Sequence, residues 1–200
     1  MTQPDVAIAV LAAGRGSRLG GDVPKPLVAL HGRPLVSWAL DAATTSGLRP
    51  VVLVVGHHGD AVARVAPEGV VVVRSHRWRR GIARSLRAAL EALEPWAQVG
   101  AVAVGLADQP LVGPDAYRRL AEAYREGASL AMATYQGQRR NPVLLGRTMW
   151  ANARQLDGDA GARVLMDEGA VEVDCTDTGS AADVDTLGDL REAERLLEAK

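Results

Sequence analysis

Phenylalanine is absent from this 200-residue chain, cysteine occurs once, and lysine occurs only twice, as Lys25 and the final Lys200. Without phenylalanine the core must be built from Val, Leu, Ala and Ile, and a chain of this length still buries most of its apolar surface. One cysteine, Cys175, excludes an internal disulfide. No apolar run approaches the roughly 20 residues that span a bilayer, and Asp5 stands where a signal peptide would carry positive charge. The chain reads as soluble and cytoplasmic. Excess charge is missing too, since 23 Lys and Arg against 24 Asp and Glu leave a net charge of −1. With no positive field to attract nucleic acid or an acidic membrane surface, small ligands are the expected partners. A composition 48% hydrophobic and 24% charged excludes disorder, collagen-like repeats and coiled coil. No internal repeat, low-complexity segment or long linker divides the chain, so one domain over residues 1–200 is expected.

What is present is an alternation. Short aliphatic runs recur at Val6 to Leu11, Val51 to Val55, Val70 to Val73, Ala101 to Leu106 and Leu130 to Thr134, with weaker ones at Val143 to Leu145 and Val171 to Asp174. They are nearly continuous rather than alternating, the pattern of strands covered on both faces. Between them lie stretches of helical period: Leu35, Trp38 and Ala42; Ile82, Leu86, Ala89, Leu90 and Leu93; Tyr117, Leu120, Ala121 and Tyr124; Leu187, Leu190, Ala193, Leu196 and Leu197. Strand then helix, repeated, predicts an α/β fold with a mostly parallel sheet. Ligands of such sheets bind where loops leave the C-terminal ends of the strands, here the loops starting at Ala12, Gly56, Arg74 and Ala107.

The first of these loops is rich in glycine. Leu11-Ala12-Ala13-Gly14-Arg15-Gly16-Ser17-Arg18-Leu19-Gly20-Gly21 leads through Asp22-Val23-Pro24 to Lys25. Glycines bring main-chain N–H groups against phosphate oxygens, and Arg15, Arg18 and Lys25 supply positive charge. No Gly-Lys-Ser/Thr follows, so this is not a P-loop. Leu19 replaces the third glycine of a dinucleotide fingerprint, and no acidic residue follows the Val51 to Val55 strand. A plain turn with solvated arginines is the bland reading. Against it, a chain that uses arginine nearly everywhere keeps its one internal lysine here, as if a compact point charge were required.

The Ala101 to Leu106 strand runs into Ala107-Asp108-Gln109-Pro110. A carboxylate at the C-terminal end of a buried strand is placed to hold Mg²⁺ together with substrate phosphates, so Asp108 is a candidate metal ligand; an Asx-turn ahead of Pro110 is the alternative. Asp183 and Asp185 precede the last helical stretch. One of them is expected to cap that helix, with Thr186 a competing cap, and the other, Asp185 in particular, to complete a metal site. His57 and His58 read as rim residues rather than a metal pair, Cys175 as packing, and Arg77-Trp78-Arg79-Arg80 as either an anion clamp or a solvated face.

Six segments together resemble the molybdenum cofactor nucleotidyltransferases, MobA-like NTP transferases, and within them the cytidylyltransferase branch. They are Leu11 to Gly20 with Lys25, Gly81-Ile-Ala-Arg-Ser-Leu86, Asp108-Gln-Pro110, Asn141-Pro-Val-Leu-Leu-Gly146, Gly158-Asp-Ala-Gly-Ala-Arg163 and Asp183-Val-Asp-Thr186. The resemblance implies a Rossmann-like three-layer α/β/α domain of the nucleotide-diphospho-sugar transferase type, which transfers CMP from CTP to the phosphate of a molybdopterin-type cofactor and releases pyrophosphate. It implies that Gly14, Gly16, Arg18 and Lys25 hold the triphosphate, Ser85 and the backbone near Gly81 the nucleoside, and Asp108 the Mg²⁺, with Leu11, Ala12 and Ala13 also in the nucleotide site. Asn141, Asp159 and Arg163 would face the acceptor. A molybdoenzyme or its chaperone is an implied partner. Ala13, in Leu-Ala-Ala-Gly, points to CTP rather than GTP. Ala107 and Asn141 depart from the family's usual Gly and His, which bears on the acceptor. Pro24-Lys25-Pro26-Leu27 and Gly32-Arg33-Pro34-Leu35 also resemble sugar-phosphate nucleotidyltransferases, which share the fold. Two rival readings are an NAD(P)H-dependent oxidoreductase of the nicotine blue oxidoreductase type on the same fold, and a non-catalytic cofactor carrier.

Overall fold

The computed structural model describes residues 5–14 and 23–199. Its organising element is a seven-stranded sheet. The strands are β1 (Asp5–Ala12), β4 (Val51–Val55), β5 (Val70–Arg74), β6 (Val99–Leu106), β7 (Leu130–Tyr135), β8 (Gln138–Gly146) and β9 (Val171–Asp174), while β2 (Ala29–Leu30) and β3 (Arg33–Pro34) make a small separate hairpin. The order is β5-β4-β1-β6-β8-β7-β9. Helices α1 (Leu35–Thr45), α2 (Gly59–Ala63), α3 (Ile82–Leu93), α4 (Pro114–Arg125), α5 (Trp150–Gln155) and α6 (Leu187–Glu198) complete the frame.

The alternation of side chains along β1 divides the core into two layers. Ala7, Ala9 and Leu11 point to one face, where Leu86, Leu90 and Leu93 of α3 and Trp150 of α5 cover them. Ile8, Val10 and Ala12 point to the other, against Val36, Leu40 and Ala43 of α1 and Tyr117 of α4. With both faces covered, β1 and β4 read as continuous apolar runs, and a three-layer α/β/α arrangement results. Gly105 lets Tyr117 pass close over β6, since a Cβ there would collide with the phenol.

Two strands depart from the sequence expectation. β8 is antiparallel to both neighbours, β6 and β7. The reason is local: Gln136 and Gly137 both take positive φ, 52° and 73°, and form a two-residue hairpin turn between β7 and β8. The gap is too short for a crossover helix, and β8 reaches from Gln138 to Gly146, well beyond its apolar centre. β5 was expected to be covered on both faces. It is instead an edge strand, with Val71 and Val72 exposed. The hairpin β2–β3 and the short helices α2 and α5 carry no periodicity that the sequence reading detects. Among the described residues, no helix is long and apolar enough to cross a membrane.

Candidate functional site

β1 lies between β4 and β6, and the chain winds outward from it through β4 and β5 on one side before returning to β6 on the other. That reversal opens a crevice at the C-terminal ends of β1 and β6, where open α/β sheets bind ligands. A cavity of about 710 Å³ lies there, within the range of pockets that enclose a small-molecule ligand.

Its walls come from four places. Leu11, Ala12, Ala13 and Gly14 end β1, and Leu106, Ala107 and Asp108 end β6; the two ends are tied by the Ala107 N–H donating to the Leu11 carbonyl at 3.1 Å. Lys25 sits in a single 3-10 turn, Lys25–Leu27, between Pro24 and Pro26, whose fixed φ values shape the turn. Gly81, Ile82 and Ser85 bring the N-terminus of α3 to the cavity, with Trp78 and Arg79 beside them and Asp159 and Asp185 across.

The chemistry concentrates on Lys25, only 8% exposed. Its Nζ donates to Asp108 Oδ2 at 2.6 Å and to Asp185 Oδ1 at 2.8 Å. Burial pulls the ammonium pKa down, but the charges and hydrogen bonds of Asp108 and Asp185 outweigh it and hold the pKa above the usual lysine value. Asp185 reaches this position because the segment before α6 is pinned to the β6 loop: the Val184 N–H donates to the Asp108 carbonyl at 2.8 Å. Gln109, 3% exposed, extends the link by donating from Nε2 to Asp183 Oδ1 at 2.9 Å and to the Ala181 carbonyl at 3.2 Å. Burial and the neighbouring charge of Asp108 push the Asp183 carboxyl above the usual range.

The expectation that Asp183 or Asp185 caps the last helix is corrected. Thr186 caps α6 in a reciprocal capping box with Asp189, which leaves the Asp185 carboxylate turned to Lys25. Asp108 and Asp185 are hard oxygen donors converging on one cation, a set that suits Mg²⁺ when substrate phosphates and water complete the shell. Among the described residues no group of three or more His, Cys, Asp or Glu side chains is placed to enclose a metal unaided.

Of the residues singled out from sequence, Leu11, Ala12, Ala13, Gly14, Lys25, Gly81, Ser85, Asp108, Asp159 and Asp185 line this one cavity. Asn141 and Arg163 do not: Asn141 is buried in β8, and Arg163 donates to the Arg139 carbonyl at 3.3 Å. Gly16 and Arg18 lie outside the described residues. His57 packs its ring 4.8 Å from that of Trp78, which lines the cavity, and its backbone N–H donates to the Ala13 carbonyl at 3.2 Å. Cys175 is buried in the core just past β9. Sequence reasoning missed the role of Gln109 and left Trp78 and Arg79 undecided. The Asp108-Gln-Pro110 motif was the available signal for the first, but only the fold shows what Gln109 grips.

Gly81 marks where two segments meet. Its φ is +95°, and a Cβ would collide with the Gly158 carbonyl, whose oxygen accepts the Ala83 N–H at 3.2 Å. Asp157 secures the same loop through Arg84 at 2.7 Å; the Gly158 N–H, and then Arg84, hold its carboxyl below the usual range. Asp159 is thereby set at the cavity mouth.

Comparison with known proteins gives the family and the fold. Residues 8–173 match the MobA-like NTP transferase domain family. The nicotine blue oxidoreductase of Paenarthrobacter nicotinovorans is 33% identical over 196 residues, covering 92% of this chain and 94% of that one. The bifunctional protein GlmU of Geobacter metallireducens is 32% identical over 145 residues, 72% of this chain but 30% of that larger protein. Among solved structures, Rv0371c of Mycobacterium tuberculosis H37Rv superposes with a TM-score of 0.81 at 32% identity, over 99% of this chain and 100% of that one. The same protein in complex with manganese gives 0.78 at 30% identity, over 98% and 100%.

Proposed function

The chain belongs to the MobA-like NTP transferase family, and from that premise we propose that this nucleotidyltransferase transfers CMP from CTP to the phosphate of a molybdopterin-type cofactor, with Mg²⁺, releasing pyrophosphate. The observation that carries the reading is the buried Lys25 ammonium held between Asp108 and Asp185 at the switch point of the sheet. In the reaction an acceptor phosphate oxygen attacks the α-phosphorus of the triphosphate, and the bond to the β-phosphate oxygen breaks. The nucleophile is already an anion, so the protein needs no general base; it aligns the reactants and offsets charge that develops on the leaving group. Lys25 is the residue for that offset. Gly14, with Gly16 and Arg18, receives the phosphates, and Ser85 with the Gly81 backbone receives the nucleoside. Asp159, on the cavity lining, is the residue assigned to the acceptor, whereas Asn141 and Arg163 lie off that lining. Asp108 and Asp185 would hold the Mg²⁺, which supplies charge neutralisation on the phosphates when bound. The structure of Rv0371c in complex with manganese supports a divalent ion in this family. Ala13 supports CTP through the Leu-Ala-Ala-Gly resemblance. Delivery to a molybdoenzyme or its chaperone is the partner role that follows from this acceptor.

One observation favours a second reading. The similarity to nicotine blue oxidoreductase runs over nearly the full length of both chains, which supports an NAD(P)H-dependent oxidoreductase on this fold. Against it, β4 is followed directly by Gly56-His57-His58, with no acid at the strand end to receive a ribose. Thermal shift with CTP, GTP or NADPH, each with and without Mg²⁺, separates the readings. Stabilisation by CTP that requires Mg²⁺, and that Asp108→Ala abolishes, is expected; stabilisation by NADPH and by neither triphosphate would overturn the nucleotidyl-transfer reading. Pyrophosphate release with candidate phosphate esters then identifies the acceptor.

A further inference from the structure

α3 serves two cavities. At 100° per residue, Ile82 and Ser85 share one side of the helix, while Arg84, Arg87 and Glu91 lie on the opposite one. The first pair faces the cavity described above; the second set lines a separate cavity of about 250 Å³, closed by Arg74 at the end of β5 and by Ser75 and Arg77 just after it.

The second cavity is short of acceptors. Three buried donors on its lining residues, Ser75 Oγ, Arg84 Nε and Arg87 Nε, have no hydrogen-bond partner among the described residues. Ser75 is 4% exposed and the Arg84 side chain 13%. A desolvated donor without an acceptor is unfavourable, and three such donors gathered around one space call for an explanation, such as a bound anion. The charge is unbalanced in the same sense. Arg74 pairs with Asp60 and Arg84 with Asp157. Arg87 reaches only the neutral Arg154 carbonyl, and among the described residues no carboxylate pairs with Arg77 or Arg87. Glu91 is the one carboxylate on the lining. The volume falls below the roughly 300 Å³ at which pockets begin to enclose whole drug-sized ligands, so the space suits a single compact group rather than a nucleotide.

We infer that this cavity is a phosphate-type oxyanion site, taking inorganic phosphate or the phosphate of a small phosphorylated metabolite. Guanidinium forks match the paired oxygens of such a group, and the Ser75 hydroxyl donates to a third. The site is independent of what fills the larger cavity. The test follows the orphaned atoms directly: the ¹⁵N-labelled full chain is titrated with inorganic phosphate, and in a second arm with glycerol 3-phosphate, while the Nε–Hε resonances of Arg84 and Arg87 are recorded. A saturable shift of both resonances is expected, weakened about tenfold or more in Arg77→Gln. Arg77 is exposed and its substitution leaves the core intact, so loss of binding there is not loss of fold; Arg87→Gln read at Arg84 is the second variant. Tighter binding of phosphate assigns the site to the free ion, and tighter binding of the ester assigns it to a metabolite. Absence of any shift at Arg84 and Arg87 in both arms, or equal affinity in Arg77→Gln and Arg87→Gln, overturns the inference.

Discussion

On one side of α3 a single ammonium, Lys25, faces two carboxylates; on the other, Arg74, Arg77, Arg84 and Arg87 surround a space with one, Glu91. The two regions are separated by the thickness of one helix and have opposite charge deficits. Removing a cation from the first leaves Asp108 and Asp185 in mutual repulsion, so that region is built around positive charge. Removing an anion from the second leaves unpaired donors, so that region is built to receive negative charge. The residue choice follows the same division. An ammonium is a compact point charge that fits between two carboxylates, whereas planar guanidiniums wait for an oxyanion with several acceptors.

The largest expected effect breaks the first region. Lys25→Ala is expected to lower kcat for pyrophosphate release by about 10²- to 10³-fold, the range for losing one preorganised group at developing charge, with the far-UV circular dichroism unchanged. Lys25→Arg sharpens the comparison. If an ammonium is required there, the guanidinium fails to restore the rate, and recovery to wild type would show that any cation serves.

Asp108→Asn comes next. It removes one of the two charges on Lys25 and is expected to erase the Mg²⁺-dependent part of nucleotide stabilisation, which for a ligand at a hundred times its Kd amounts to about 2.7 kcal/mol. Differential scanning calorimetry with CTP, with and without Mg²⁺, reads it; a Mg²⁺ increment equal to that of the wild type would remove Asp108 from the metal assignment.

Gly81→Ala strikes the wall of the first region. The added Cβ meets the Gly158 carbonyl at a φ of +95°, so a loss of about 1–3 kcal/mol is expected in urea denaturation. A neutral result would mean that the Gly158 loop gives way freely and does not set Asp159.

The smallest expected effect is a control remote from both cavities. Burial pushes the Cys175 thiol up to about 11, so at pH 8 it is neutral in the folded protein. Iodoacetamide at that pH is expected to leave the thiol and the activity untouched, with modification appearing only on unfolding or as the pH approaches the thiol pKa. Fast alkylation of the folded protein would contradict the packing role.

Much of this was legible from the chain. β4 and β9 begin and end at the residues where the aliphatic runs do, and α1, α3, α4 and α6 contain the periodic faces read from sequence. Strong periodicity over a buried face leaves little else possible. β8 was visible only at Val143 to Leu145, because its first three residues, Gln138, Arg139 and Arg140, are polar and exposed and are held by pairing rather than by burial. At the site, Lys25 stood out as the one internal lysine and Asp108 as the acid at a strand end. Their contact, across 83 positions of sequence, did not. Asp183, Asp185 and Thr186 were competing candidates for one cap; Asp189, three residues after Thr186, completes the capping box that selects Thr186, and the bond from Val184 to the Asp108 carbonyl turns Asp185 inward.

Composition and periodicity were enough for the layered α/β frame, the loops that would carry ligands and the single internal lysine among them, because each of these depends on neighbours within a strand, a turn or a helix. The long-range pairings were not available that way. Which carboxylates close on Lys25, which side of α3 each arginine faces, and the departure of Asn141 and Arg163 from the cavity lining all depend on segments far apart in sequence meeting in space. The scarcity of lysine marked one place in the chain as unusual; the tertiary structure alone paired that ammonium with Asp108 and Asp185, because charges choose partners by distance and burial rather than by position along the chain.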